Sequence, residues 1–246
     1  MSEERKVGLS RREFLKDAGL VVGGATVGSM AFLGACGCPN PETTSSTTPG
    51  SDKYICALDN ANFGTVAELR AHMAKYHPLA DNQTITEFDV NGKTYAFAVK
   101  DTELLSTTLR DGLGLYGTKV ACDMGECGSC TVLMDNAAVF SCLVLSRECS
   151  NKEIVTIEGL ATAPSDDTVG SSYFGALSNV QKRFYEQDAF QCGYCTPGFI
   201  MAGAGLLKAT SNPTYEQARM AVSGHACLCG NIKKVVDALT GDGGVR

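Results

Sequence analysis

The sequence predicts an α+β chain: a small sheet crossed by one helix, then a wholly helical unit. Three observations predict it. Residues 84–99 read as two strands around Asn91-Gly92, a two-residue hairpin turn. From Phe174 onward the apolar residues recur at helical spacing instead. Two sets of four cysteines, one in each part, stand at intervals suited to metal rather than to disulfides.

Composition narrows the function classes. The chain has 246 residues, 44% of them hydrophobic, which is enough for one to three ordinary cores. Its net charge of −6 argues against nucleic-acid binding, which needs a basic footprint. Twelve cysteines are too many for an ordinary cytosolic enzyme.

Residues 1–35 read as a targeting segment. Ser10-Arg11-Arg12-Glu13-Phe14-Leu15-Lys16 resembles the twin-arginine export motif, and an apolar, Gly/Ala-rich run follows from Ala18 to Leu33. That run is short of the roughly 20 residues a spanning helix needs. Leu33-Gly34-Ala35-Cys36 resembles a lipoprotein cleavage box, which would leave Cys36 for lipid attachment; ordinary cleavage nearby is the alternative. Residues 36–52, rich in Pro, Thr and Ser from 39 on, read as a flexible linker.

Residues 53–79 follow the C2H2 zinc-finger pattern position by position: Cys56-x2-Asp59-x3-Phe63-x5-Leu69-x2-His72-x4-His77. Phe63 and Leu69 fall where a finger's small core lies, and Ala67 to Met73 reads as its helix. Asp59 stands in place of the second cysteine, a harder ligand that gives a weaker site. A zinc site of Cys56, Asp59, His72 and His77, or a metal-free relic held by apolar residues, both suit this segment. A DNA reader does not, since the chain is acidic.

Residues 84–159 form the next unit. Thr84–Val90 and Lys93–Val99 are the hairpin, with Tyr95, Phe97 and Val99 on one face. Thr102–Gly112 reads as a helix carrying Leu104, Leu105 and Leu109 on one side. Thr131–Met134 and Ala138–Leu145 read as strands around Asp135-Asn136, and Ile154–Ile157 as the closing strand. Between them lie Cys122, Cys127, Cys130 and Cys142, spaced Cys-x4-Cys-x2-Cys-x11-Cys. The first two intervals match the plant-type ferredoxin loop that holds a [2Fe–2S] cluster. A short loop can bring three thiolates to two irons, and the fourth must come from a neighbouring strand. Zinc sites favour separated Cys-x2-Cys pairs instead. Cys149 follows in a polar stretch and reads as a spare thiol.

Residues 160–246 begin with a polar connector and are then helical. Leu177, Val180 and Phe184 continue the spacing begun at Phe174, and Pro197 opens a helix running through Leu207. Thr214 and Gln217 form a capping box before Ala218–Val222, a helix ended by Gly224. Asn231–Leu239 is the last helix, stopped by Gly241. The second cysteine set is Cys192, Cys195, Cys227 and Cys229, spaced Cys-x2-Cys-x31-Cys-x1-Cys, each pair just ahead of a helix whose positive end suits a negative cluster. His225 reads as a neighbour of this site or a surface residue, and Phe190 and Tyr194 as its cover.

The two sets in this order, with the run Gln191-Cys192-Gly193-Tyr194-Cys195-Thr196-Pro197-Gly198, resemble the two-cluster iron–sulfur subunit of the xanthine dehydrogenase and aldehyde oxidoreductase (molybdenum hydroxylase) family. The resemblance covers about residues 84–241. It departs after Cys227, where Leu228 and Gly230-Asn231-Ile232 replace the family's Arg and Thr-Gly-Tyr. It implies a β-grasp, plant-type ferredoxin domain, then a four-helix [2Fe–2S]-binding domain with pseudo-twofold symmetry. It implies two [2Fe–2S] clusters on the eight cysteines and a large partner subunit holding molybdopterin, approached by Gln191 and Cys229. The expected role is electron transfer from the molybdopterin to an outside acceptor, a flavin subunit or, outside the cytoplasm, a c-type cytochrome. The chain shows no nucleotide loop and no Ser-His-Asp set. A free-standing two-cluster redox carrier and a structural zinc protein with disulfides are the rival readings.

Overall fold

The structure, a computed structural model, describes residues 54–161 and 176–241. The export motif, Cys36, the linker and Phe174 lie outside the described residues.

A single seven-stranded sheet runs through the first part, in the order β2-β1-β4-β3-β7-β5-β6. Its centre is the hairpin of β3 (Gln83–Val90) and β4 (Lys93–Lys100). Asn91 and Gly92 take φ of 55° and 81°, the positive values a tight two-residue turn demands. Val90 faces Lys93 across it, and the register runs unbroken to Gln83 and Lys100. The second hairpin joins β5 (Thr131–Met134) to β6 (Ala137–Phe140) through Asp135 and Asn136, both at positive φ. β7 (Glu153–Val155) lies between the hairpins, parallel to β3 and antiparallel to β5.

β4 is covered on both faces. Phe97 and Val99 enter a core with Phe88, Leu105, Leu109 and Ile154, where Phe88 and Phe97 stack with centroids 4.6 Å apart. Burying each such side chain contributes about 1.5–3 kcal/mol. On the other face Ala96 meets Cys56, Leu69 and Met73. The small alanines there let a second layer approach closely.

That layer is α1 (Val66–Tyr76), capped at its start by the Thr65 hydroxyl accepting from Glu68 N–H, which follows two short strands, β1 (Tyr54–Cys56) and β2 (Asn62–Phe63). The expectation of a separate finger is corrected: β1 pairs parallel to β4, Cys56 opposite Ala96, so the ββα module is an extension of the main sheet. Strands this short need such a neighbour.

Four further expectations are corrected. The helix at 102–112 begins only at Leu105, because Leu104 is taken by a β-bridge to Leu145; α2 (Leu105–Thr107) then widens into a π-turn over Thr108–Gly112. The strand expected to reach Leu145 stops at Phe140, where Ser141–Leu143 coils into a 3-10 turn. The closing strand is Glu153–Val155, and Ile157–Leu160 is a 3-10 turn. Gly224 does not end its helix: α5 (Tyr215–Ala221) closes at Val222.

The later part is helical. α3 (Asn179–Glu186) starts at a capping box of Ser178 and Gln181 that the sequence reading missed. α4 (Thr196–Ala209) is the central helix, nearly all buried through its first half. α5 is capped by Thr214 and Gln217 as expected, and α6 (Ile232–Thr240) ends at Gly241 with φ of 76°. Phe184, Phe199, Met201, Val236 and Leu239 form their core, which Leu133 enters from β5. α4 thus packs on the β5–β6 hairpin, and the two parts share a face.

Candidate functional site

Two loops meet at that shared face. The first runs from Gly117 to Cys130 and is pinned at several points. Arg110 donates to the Thr118 carbonyl at 2.7 Å, and Gly117 N–H donates to Glu158 at 2.7 Å. Tyr194, from the second loop, donates its hydroxyl to the Val120 carbonyl at 2.7 Å.

Within this loop Glu126 N–H points at Cys122 Sγ at 3.4 Å. The backbone N–H groups of Met124 and Glu126, with the Cys127 thiol, bring the Cys122 pKa down to about 7. A thiol lowered in this way is ready to ligate, since the thiolate is the form that binds metal. The 3-10 turn at Ser141 explains itself here. Ser141 donates both its N–H and its hydroxyl to the Cys130 carbonyl, at 3.3 and 2.7 Å, and so turns Cys142 back toward Cys130. Burial pushes the Cys142 thiol up to about 12, and its contact with Cys130 adds to the rise. Two buried sulfurs side by side resist ionising together unless a positive group joins them.

The second loop carries Cys192 and Cys195 ahead of α4, and Cys227 and Cys229 ahead of α6. All four line one cleft with Gln191 and Asn231. Burial, then contact with Cys227, pushes Cys195 up to about 12. For Cys227 burial raises the pKa, but the Asn231 N–H, the Cys195 thiol and the N–H groups of Cys229 and Gly230 outweigh it and lower it overall. Each site therefore offers four thiols, the first counting Cys142 from the Ser141 turn, with backbone N–H groups directed at sulfur, a donor set that fits a soft, negatively charged iron–sulfur group.

The sequence reading left His225 either beside the cluster or at the surface; the structure buries it. It sits between the rings of Phe140 and Phe199, its Nε2 is 2.9 Å from the Thr131 hydroxyl, and burial pushes its pKa down to about 4. It fills the space above Gly128, where a Cβ would lie 2.4 Å from the ring. Gly128 also has φ of 69°. Nothing in the sequence signalled this contact, because residues 128 and 225 meet only through the packing of the two parts. Cys149 is buried in the sheet core, and that burial pushes its thiol up to about 11, as suits an inert structural residue. Phe190 and Tyr194 are partly exposed at the rim.

A third cluster lies on the ββα module. The ligand atoms of Cys56, Asp59, His72 and His77 all lie within 4.8 Å of one another.

Comparison with known proteins places the first two loops in context. Residues 88–156 match the family of the 2Fe-2S iron-sulfur cluster binding domain, and residues 156–240 match the [2Fe-2S] binding domain. The chain is 38% identical over 162 residues to the nicotine 6-hydroxylase small subunit of Paenarthrobacter nicotinovorans, covering 66% of this chain and 91% of that one. It is 37% identical over 161 residues to the xanthine dehydrogenase iron-sulfur-binding subunit of Escherichia coli O157:H7, covering 64% and 94%. Among solved structures, quinoline 2-oxidoreductase from Pseudomonas putida 86 superposes with a TM-score of 0.57 at 33% identity, covering 65% of this chain and 92% of that chain. The module at 54–77 precedes both matched ranges.

Proposed function

The chain belongs to the iron–sulfur subunits of the xanthine dehydrogenase and aldehyde oxidoreductase family, and from that premise we propose how its two loops divide the work. It is the electron-transfer subunit of an oxidoreductase of this type. Each [2Fe–2S] cluster, when bound, supplies a one-electron redox centre. In our reading Cys122, Cys127, Cys130 and Cys142 hold one, and Cys192, Cys195, Cys227 and Cys229 hold the other. The observation that carries this is the donor set itself: four thiols at each site, the first site taking three from its loop and Cys142 from the Ser141 turn, with backbone N–H groups at Cys122 and Cys227 that stabilise the thiolate.

The second loop is the side that meets a large molybdopterin-binding subunit, with Gln191 and Cys229 toward the pterin. Gln191 lines the cleft with all four cysteines, and Leu228 between the last two is fully exposed. The first loop then faces the acceptor. His225 stays neutral and dry between the two loops, and Tyr194 fixes their spacing.

Arg11, Arg12 and the run to Cys36 support export by the twin-arginine route and anchoring by lipid outside the cytoplasm. There a c-type cytochrome or a membrane redox partner replaces a flavin subunit as acceptor. Iron, sulfide and molybdenum analysis of the native complex, with its subunit composition, tests the main reading. Equal iron and sulfide in this chain and molybdenum in a co-purifying larger chain support it. Iron-free protein, or a stable monomer that passes electrons without a molybdenum partner, overturns it.

A further inference from the structure

Three features outside the two loops bear on function: the buried Cys149, the buried His225 and the cluster of Cys56, Asp59, His72 and His77 on the ββα module. The first two are absorbed by packing. The third is not. Cys56 ends β1, Asp59 lies in the turn after it, His72 is on α1, and His77 caps the end of that helix.

We propose that Cys56, Asp59, His72 and His77 bind one zinc ion, which clamps α1 to β1 and so fixes the module on the edge of the main sheet.

The geometry carries it. His72 Nε2 is 3.0 Å and His77 Nε2 is 3.2 Å from the same atom, Asp59 Oδ2, and the two Nε2 atoms are 3.2 Å apart. In a tetrahedral zinc site with bonds of about 2.0–2.1 Å, ligand atoms lie about 3.3 Å from one another. These three edges are close to that value. Asp59 is held for the role: its other oxygen, Oδ1, accepts from Ala61 N–H at 3.0 Å, which leaves Oδ2 turned to the imidazoles. Cys56 adds a sulfur within the same 4.8 Å span.

One thiolate, two imidazoles and one carboxylate form a donor set of mixed softness that suits zinc rather than calcium or magnesium, which take oxygen alone. Four protein ligands complete the shell, as in structural rather than catalytic sites. The competing arrangement has no metal: Asp59 accepts hydrogen bonds from both rings. It accounts for the two Asp59 contacts and leaves Cys56 with the Met73 sulfur at 3.4 Å, but with both Nε2–H groups donating to Asp59 it gives the 3.2 Å approach of the two Nε2 atoms no proton to share.

The purpose follows from where the ligands sit. β1 has three residues and β2 two, and Cys56 is paired opposite Ala96 on β4. Buried Leu69 and Met73, with the exposed two-point Arg70–Glu87 ion pair at 2.7 and 3.1 Å, hold α1 to the sheet, and none of these reaches the turn after β1 at Asp59. A metal joining Cys56 to His72 and His77 links the helix to the strand paired with β4.

The test uses the full complex, purified without chelators, with zinc and iron measured together by mass spectrometry. The wild type should hold one zinc per chain that a His72→Ala/His77→Ala variant lacks, with iron equal in both. Because that variant could unfold the module, a gain-of-affinity arm is added. Asp59→Cys supplies the softer ligand and should tighten zinc at least tenfold in competition with a chromophoric chelator under reducing conditions. Zinc absent from the wild type, and none taken up on addition, overturns the site. So does an Asp59→Cys variant that binds zinc no better than wild type. Iron content reports separately on the two cysteine loops, so this site and the electron-transfer reading fail independently.

Discussion

Ala226 donates its backbone N–H to the carbonyl of Cys127 at 3.0 Å. One hydrogen bond thus joins a cysteine of the first loop to the residue next to Cys227 in the second. Gly198, on the first turn of α4, closes the same junction from the other side, since a Cβ there would lie 2.3 Å from the Gly128 carbonyl oxygen. The spacing of the two cysteine sets is set by these backbone contacts together with the Tyr194 hydroxyl on the Val120 carbonyl.

Gly198→Ala is therefore expected to force the loops apart. Overpacking of this kind costs about 1–3 kcal/mol. The neighbour is backbone, so it cannot rotate out of the way. A urea midpoint lowered accordingly, with slower reoxidation of the complex by its acceptor, is the expected outcome. Wild-type stability would mean that the two parts slide freely.

The proposed order of the loops predicts different phenotypes for two cysteine variants. Cys127→Ser should stop transfer to the acceptor while substrate still reduces the molybdenum centre of the partner. Cys195→Ser should isolate both loops from that centre. Rapid-mixing spectra of each complex under substrate distinguish the two. Full turnover of Cys127→Ser with the natural acceptor would rule out the proposed order.

Cys142 and Cys149 lie seven residues apart, and only one is turned toward another cysteine. Cys142→Ser should lower the iron content of the chain. Cys149→Ala should leave iron unchanged and reduce stability by about 1 kcal/mol, the scale of one buried methylene-sized group. Iron assay and thermal unfolding of both variants check this, and loss of iron from Cys149→Ala would reassign the fourth ligand.

Mass spectrometry of the mature N-terminus addresses location. The expected product begins at Cys36 and carries two or three acyl chains, since a single chain gives only marginal membrane binding. Active protein with Met1 or Ser2 intact would remove the export proposal, and an unmodified Cys36 the anchor.

Local chemistry made much of the fold legible. Asn91-Gly92 and Asp135-Asn136 both form turns at positive φ, Thr214 and Gln217 open their helix through their side chains, and Gly241 closes its helix at a φ of 76°. The cysteine intervals located both loops. Contacts between distant residues were not legible. Leu104 leaves its helix to bridge Leu145, the strand after Asn136 breaks at Ser141 to reach the Cys130 carbonyl, and His225 is buried against Gly128. The finger spacing located Cys56, Asp59, His72 and His77, but gave no sign that β1 would pair with β4, because parallel pairing leaves no turn signal between the strands. Ser178 and Gln181 carry the same capping-box signature as Thr214 and Gln217.

The parallel β1–β4 pairing has a kinetic consequence. β4 meets β3 through a two-residue turn, whereas Cys56 and Ala96 are 40 residues apart. A hairpin closes in about 1–10 μs, while the longer loop must first give up more entropy. The newborn sheet therefore passes through a stage in which β4 already has β3 on one side and bare N–H and C=O groups on the other. That stage is a template for joining a second chain. How quickly the module arrives sets how long each molecule stays open to self-association, so crowded synthesis in the absence of the module should yield aggregates before it yields inactive monomers.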